Sequence, residues 1–187
     1  MTLRQRVDRA QIVQIAVTLA DEMGFEAVTL AAVAEKLGIR IPSLYHHVDG
    51  LPGLRSAVTL WAYQNLHTAL QGAAVGKAGE NAGRAIAHAY RAFGHAHPGI
   101  YTATLRAPSP DQPELQAAGQ DIVNVVAQVL AHYSLEPTEM IHAVRALRSL
   151  MHGFVHLEIS GGFKLAVDLD ETFQRLIDLY LRGLKAP

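Results

Sequence analysis

The sequence predicts an all-α fold of about nine helices, and three observations carry that reading. Apolar residues recur at helical spacing through almost all of the 187 residues. No run has the sustained polar–apolar alternation, bounded by turn residues, that a half-buried strand requires. Half of the residues are hydrophobic and only 18% are charged, which is enough apolar surface for a sizeable core and excludes a disordered chain.

The elements follow in order. Asp8 is placed to cap a first helix whose inner face carries Ile12, Ala16, Leu19 and Met23, with Gly24 as its stop. Residues 25–28 form a connector. Thr29 caps a short helix over residues 30–37, because its hydroxyl can accept a bond from an otherwise unpaired helix N–H, and Gly38 ends it. A second short helix spans about residues 41–47, with Pro42 tolerated in its first turn. Asp49 and Gly50 make a turn into a long helix over about 51–70, which carries Leu54, Val58, Trp61 and Leu66. The stretch GAAVGKAGENAG (72–83) reads as a flexible joint before a helix at about 84–97, which Pro98 and Gly99 break. A short piece at 100–106 precedes the most loop-like segment, APSPDQP (107–113). Three more helices are expected at about 114–133, 138–160 and 170–184, separated by Glu136 with Pro137 and by Gly161 with Gly162.

Composition narrows the function classes. The absence of cysteine removes disulfides, thiolate metal sites and cysteine nucleophiles together. The first residues, MTLRQRVDRAQ, hold no apolar run of the kind a secretory signal needs, and no apolar stretch reaches transmembrane length. A cytoplasmic protein with no membrane partner is expected. The net charge is −1, which is a mild argument against nucleic-acid binding.

The functional signal nevertheless lies in residues 29–48. Two short helices joined by a tight glycine-containing turn and held by an earlier helix make a helix-turn-helix. The second short helix must present polar side chains to the major groove and an apolar back to its supports. Ala34, Leu37, Ile39, Leu44 and Val48 supply the back; Arg40, Ser43, Tyr45, His46 and His47 supply the outer face. Within residues 1–50 the cations Arg4, Arg6, Arg9, Lys36 and Arg40 meet the anions Asp8, Asp21, Glu22, Glu26, Glu35 and Asp49, so the head is near neutral. Distribution matters more than total, and four of these five cations sit in the N-terminal arm or at the second short helix.

The segment TLAAVAEKLGIRIPSLYHHV (residues 29–48) resembles the DNA-binding signature of the TetR family in its capping Thr29, small Ala34, Gly38 and Ile39 in the turn, Leu44 with Tyr45, and His47 with Val48. Upstream the likeness runs back through the first helix to Gly24 and Phe25. The resemblance implies that Thr29 contacts phosphate, that Arg40, Pro42, Ser43 and His46 face bases or lie beside them, and that Tyr45 and His47 anchor to the DNA backbone. Many members place a phosphate-holding Lys at the start of the fourth helix, where this chain has Leu51. Further on, AHPGIYTATLRAP (96–108), LRSLMHGFVHLE (147–158) and GGF (161–163) resemble a TetR subgroup whose ligand-binding domain carries a Trp-His-Gly motif. Here Met151 stands in place of that Trp, before His152 and Gly153.

The body supplies the remaining expectations. The helix expected at about 138–160 has an apolar stripe, including Met140, Ala143, Leu147 and Leu150, beside a polar one of His142, Arg145, Ser149, His152 and His156. In the family the last two helices pair with their symmetry mates as a four-helix bundle. That implies a homodimer interface on Val144, Leu147, Met151, Phe154, Val155, Phe173, Ile177 and Tyr180. A small-molecule pocket is expected between the middle helices. Its candidates are Trp61, Tyr90, Phe93, His97, Tyr101, Leu105, Val126, Ser149 and His152. Ten histidines raise the alternative of a metal-binding protein or enzyme using the histidine stripe. Zinc sites need three or four ligands, however, and Gly153 stands where a catalytic helix motif places Glu. No nucleophile–base pair or phosphate-cradling loop accompanies the stripe, so no catalytic residue, metal ligand or cofactor is expected. The expected whole is a DNA-binding head (residues 1–50) on a ligand-binding and dimerisation body (51–187). It would bind an operator in double-stranded DNA and answer a small-molecule effector, most simply as a repressor.

Overall fold

The computed structural model describes residues 7–184. They form eight α-helices and three single turns of 3-10 helix, with no strand among the described residues. No helix among them is long and apolar enough to cross a membrane. The arm cations Arg4 and Arg6 lie outside the described residues. Packing groups the chain into two compact units: His97–Gln116 joins residues 7–64 in the first, and Asn65–Ala96 joins residues 117–184 in the second.

In the first unit, α1 (Arg9–Met23) starts at a capping box. The Gln11 N–H donates to Asp8 Oδ1 (2.8 Å) and the Asp8 N–H donates to Gln11 Oε1 (3.1 Å). Ile12, Ala16 and Leu19 face inward as their spacing requires, but Met23 at the fraying end is exposed. After a 3-10 turn (Phe25–Ala27), α2 (Leu30–Leu37) packs on α1, and α3 (Ile41–Leu44) packs on α2. α3 is shorter than the spacing predicts. The Leu44 carbonyl accepts from both His47 (2.9 Å) and Val48 (3.0 Å), so the chain leaves the helical path as a turn that buries Val48.

α4 (Gly50–Ala74) and α5 (Gly79–Ala96) both run further into the glycine-rich stretch than expected, leaving 75–78 as the connector. Lys77 closes α4 by donating from Nζ to the Ala73 carbonyl (2.9 Å). The small residues serve packing here: a Cβ at Gly83 would lie 2.8 Å from Leu181 Cδ2, so α5 approaches α8 closely only because Gly83 has no side chain. The short piece expected at 100–106 contains a 3-10 turn, Tyr101–Thr104. α6 (Pro113–Leu130) ends in another, Ala131–Tyr133.

The second unit is built on α5, α7 (Pro137–Ile159) and α8 (Leu169–Gly183). The Asp168 carboxylate caps α8, accepting from the Asp170 and Glu171 N–H groups (2.7 and 3.1 Å). Phe173 is fully buried beside Phe154, with ring centroids 5.0 Å apart. The Arg91 guanidinium lies over both rings, and its Nε and Nη2 grip Glu158 (2.8 and 2.6 Å) while Nη1 reaches Asp170 (2.7 Å). His95 adds a contact to Glu158 at 2.7 Å. The hydrogen bonds from Arg91 hold the Glu158 carboxyl below its ordinary pKa, against burial, which pushes the other way. Tyr180 ties α8 to α7 by donating to the Ala143 carbonyl (2.6 Å), and burial pushes its pKa up to about 12.

Candidate nucleic-acid interface

The recognition surface is assembled from short-range rules. Thr29 Oγ1 accepts the Ala32 N–H (3.2 Å), which starts α2 on a satisfied donor and leaves Thr29 exposed. Gly38 (φ +65°) takes the left-handed conformation that ends α2, and the Ile39 N–H returns to the Ala34 carbonyl (3.0 Å). This turn sets the angle at which α3 leaves. Leu44, with no exposed surface, anchors α3 from behind.

On the other side, Arg40, Pro42, Ser43, Tyr45 and His46 are exposed and His47 is half-buried. Tyr45 stands out with 58% of its surface exposed. A polar, cation-bearing surface on a firmly anchored short helix is what major-groove reading requires. Arg40, Ser43 and His47 share the wall of an open cleft of about 1160 Å³ with Gln11 and Gln14 of α1. The two glutamines were not among the sequence-derived candidates. They lie on the polar side of α1, where periodicity marks them as solvent-facing but not as neighbours of α3.

The fourth helix brings no replacement for the missing Lys. Leu51 is half-buried, and the next cation, Arg55, is held by Glu26 through Nη1 to Oε2 (3.1 Å) and Nη2 to the carbonyl (2.8 Å). Lys36 lies 4.0 Å from Glu22, an exposed pair of little strength. Arg40 has no ion pair among the described residues and is the cation this face presents.

The structure distributes the nine pocket candidates. In the first unit Trp61 meets the His97 ring edge-on (5.2 Å between centroids), Tyr101 is buried, and Leu105 lines a second cleft. His97 Nδ1 and the N–H groups of Gly99 and Ile100 all meet the Asp21 carboxylate, at 2.7, 3.1 and 3.1 Å, so residues 97–100 are fastened to α1. In the second unit Tyr90, Phe93 and Val126 are core, and Ser149 is exposed and donates to its own helix at the Arg145 carbonyl (2.8 Å). His152 lies 5.8 Å from His156 between ring centroids; burial, then His156 and Arg148, push its pKa below the ordinary value. Among the described residues no group of three or more His, Asp or Glu is placed to hold a metal ion.

The residues of the expected dimer face differ in burial within the chain. Leu147, Met151, Phe154, Val155, Phe173 and Ile177 are buried in the core of their own chain, while Val144 and Tyr180 are half-buried. The large apolar side chains that α7 and α8 leave exposed are Ile141, Leu157, Ile159 and Leu179, at 52%, 48%, 37% and 66%. Helical periodicity identified an apolar stripe correctly, but α5 already covers it.

Comparison with known proteins bears on both parts of the chain. The family profile described as bacterial regulatory proteins, tetR family, matches residues 12–48, and the profile described as tetracyclin repressor-like, C-terminal domain, matches residues 84–180. An uncharacterized HTH-type transcriptional regulator of Mycobacterium tuberculosis is 36% identical over 181 residues, covering 96% of this chain and 83% of the relative. Another, from Bacillus subtilis, is 33% identical over 186 residues, covering 98% of this chain and 96% of the relative. Among solved structures, a protein of unknown function from Rhodococcus sp. RHA1 superposes with a TM-score of 0.80 at 20% identity, with all of both chains covered. A TetR regulator from Streptomyces coelicolor superposes with a TM-score of 0.76 at 21% identity, covering 96% of this chain and 98% of that one. At such identities the likeness to solved structures is one of fold.

Proposed function

The chain belongs to the TetR family of bacterial transcription regulators, and from that premise we propose that it is a cytoplasmic homodimeric repressor released from a palindromic operator by a small molecule. The observation that carries the reading is the exposed set Arg40, Ser43, Tyr45 and His46, presented by a short helix whose back is anchored by buried Leu44. Two such helices related by a two-fold axis fit successive major grooves of an inverted repeat. By role, residues 1–50 read DNA and residues 51–187 bind effector and partner. Assignment of the body to the Trp-His-Gly subgroup is supported by His152 and Gly153, with Met151 in place of the Trp. The partner protomer meets the exposed side of α7 around Ile141 and Ile159 and that of α8 around Leu179, with Val144 and Tyr180 at its edge. An effector acts by binding one conformation better than the other, since only differential affinity moves such an equilibrium.

The test is a gel-shift selection with genomic fragments, beginning with the region upstream of the protein's own gene. The expected result is salt-sensitive, sequence-preferring binding to an inverted repeat. No such binding, with or without candidate effectors, would overturn the reading. Tyr45→Ala is expected to weaken binding to all sequences about tenfold or more by removing a backbone anchor, with an unchanged thermal melt. Arg40→Gln is expected to cost roughly 1–3 kcal/mol of operator affinity and to relax base preference at one position in each half-site. A uniform loss over all sequences would instead assign Arg40 to phosphate.

A further inference from the structure

The second cleft of the first unit, about 550 Å³, lies apart from the recognition surface, and its chemistry is distinctive. Its lining includes the apolar side chains Phe25, Leu105 and Leu115 and the charged groups Arg55, Arg106 and Glu26. Two guanidiniums therefore share one carboxylate, in a chain whose overall charge is −1. Their hold on Glu26 is uneven: Arg55 Nη1 is 3.1 Å from it and the exposed Arg106 4.0 Å. Arg55 lies over the Phe25 ring (5.9 Å to the centroid) and donates from Nη2 to the Glu26 backbone. Its Nε is buried and makes no hydrogen bond. The guanidinium thus touches the carboxylate through one nitrogen, and its fork is incomplete, whereas a carboxylate presented in its plane takes two parallel bonds.

We infer that this cleft binds a small organic monocarboxylate with an apolar or aromatic body. The carboxylate takes Arg55 from Glu26; the guanidinium turns out of that contact and pairs with the ligand through two of its nitrogens, and the body lies against Leu105 and Leu115. The volume suits a drug-sized molecule, and the two cations against one anion favour a negative ligand. Glu26 belongs to the 3-10 turn that joins α1 to α2. Freeing it alters the connector on which the helix-turn-helix is mounted, which makes the cleft an effector site. That last step rests on the proposed regulatory function; the binding itself does not.

The experiment titrates the full-length protein by calorimetry with 4-phenylbutyrate, indole-3-acetate and decanoate, each beside its uncharged primary amide. The expected result is saturable binding of at least one carboxylate, with its amide at least tenfold weaker. Glu26→Gln, which removes the internal competitor, should bind that carboxylate at least threefold tighter. Arg55→Gln should lose binding; if it fails to fold, Arg106→Gln, expected to weaken binding severalfold, takes its place. Binding by none of the three acids, equal binding of acid and amide, or unchanged or weaker binding by Glu26→Gln overturns the proposal. Operator binding of the unliganded protein is measured on the same preparation. DNA binding without carboxylate binding defeats the cleft alone, and carboxylate binding without DNA binding defeats the regulatory reading alone.

Discussion

Gly99→Ala is expected to destabilise the protein by about 3 kcal/mol or more, at or beyond the upper end of the usual cost of overpacking a site. The reason is what the methyl would meet. A Cβ at residue 99 would stand 1.8 Å from the Ala20 carbonyl oxygen, 2.5 Å from its carbon and 3.0 Å from Asp21 Cα. All three are backbone atoms of α1, so no rotamer change relieves the contact, and residues 97–100 must lift from the helix. Lifting breaks the bonds that the Gly99 and Ile100 N–H groups make to Asp21 and the contact between Asp21 and His97. It also draws Ile100, which has no exposed surface, toward water. Urea unfolding checks the loss, and the single tryptophan reports it locally, because Trp61 packs edge-on to His97. Asp21→Ala isolates the polar share of the fastening. It leaves two part-buried N–H groups without their acceptor, at a cost of about 1–3 kcal/mol. A Gly99→Ala protein as stable as the parent would show that the segment is not seated on α1 as described.

Glu158→Ala is the second large loss, about 3–5 kcal/mol, the range for breaking a buried ion pair by removing one member. The Arg91 and Glu158 side chains are only 14% and 10% exposed, whereas Asp170, which would remain to Arg91, is 80% exposed and a poor substitute. Truncation leaves the guanidinium among the Phe154 and Phe173 rings with most of its hydration gone. The pair also predicts an acid limb. The Glu158 carboxyl is held below its ordinary value of 4.5, so in the folded state it stays ionised to lower pH than in the unfolded chain. Its stabilisation is complete above that value and is lost as the pH falls through the lower folded pKa. The difference in unfolding free energy between wild type and Glu158→Gln should therefore be flat at neutral pH and shrink below about pH 4.5. A difference constant to pH 3 would contradict the assignment.

Much of the recognition head is legible in the sequence because its determinants are local. The Thr29 cap, the left-handed Gly38 and the buried Leu44 each act within one or two turns of chain. The same holds for Asp8, whose capping box closes over three residues. What the sequence leaves open has the opposite cause. Residues 72–83 read as a joint because glycine is flexible in isolation, yet Gly83 is helical and small for the sake of Leu181, far along the chain. Periodicity marks Leu147, Met151, Phe154 and Val155 as an apolar stripe but not what covers it, and these four are buried within the chain. Nothing in α1 alone marks Gln11 and Gln14 as lining a cleft with Arg40, Ser43 and His47.

The sequence by itself determined the helical class, most helix limits, the caps and turns, and the helix-turn-helix with its inward and outward faces. These follow from hydrogen bonds and side-chain spacing inside single elements. The tertiary structure alone decided that Asp21 fastens residues 97–100, that Arg91 is closed in by Glu158 and Asp170, and that Arg55 is held by Glu26 rather than offered to phosphate. Each joins residues between 29 and 79 positions apart. At that distance a partner is chosen by how helices pack, because chain closure and competing burial, not local preference, set which charges meet.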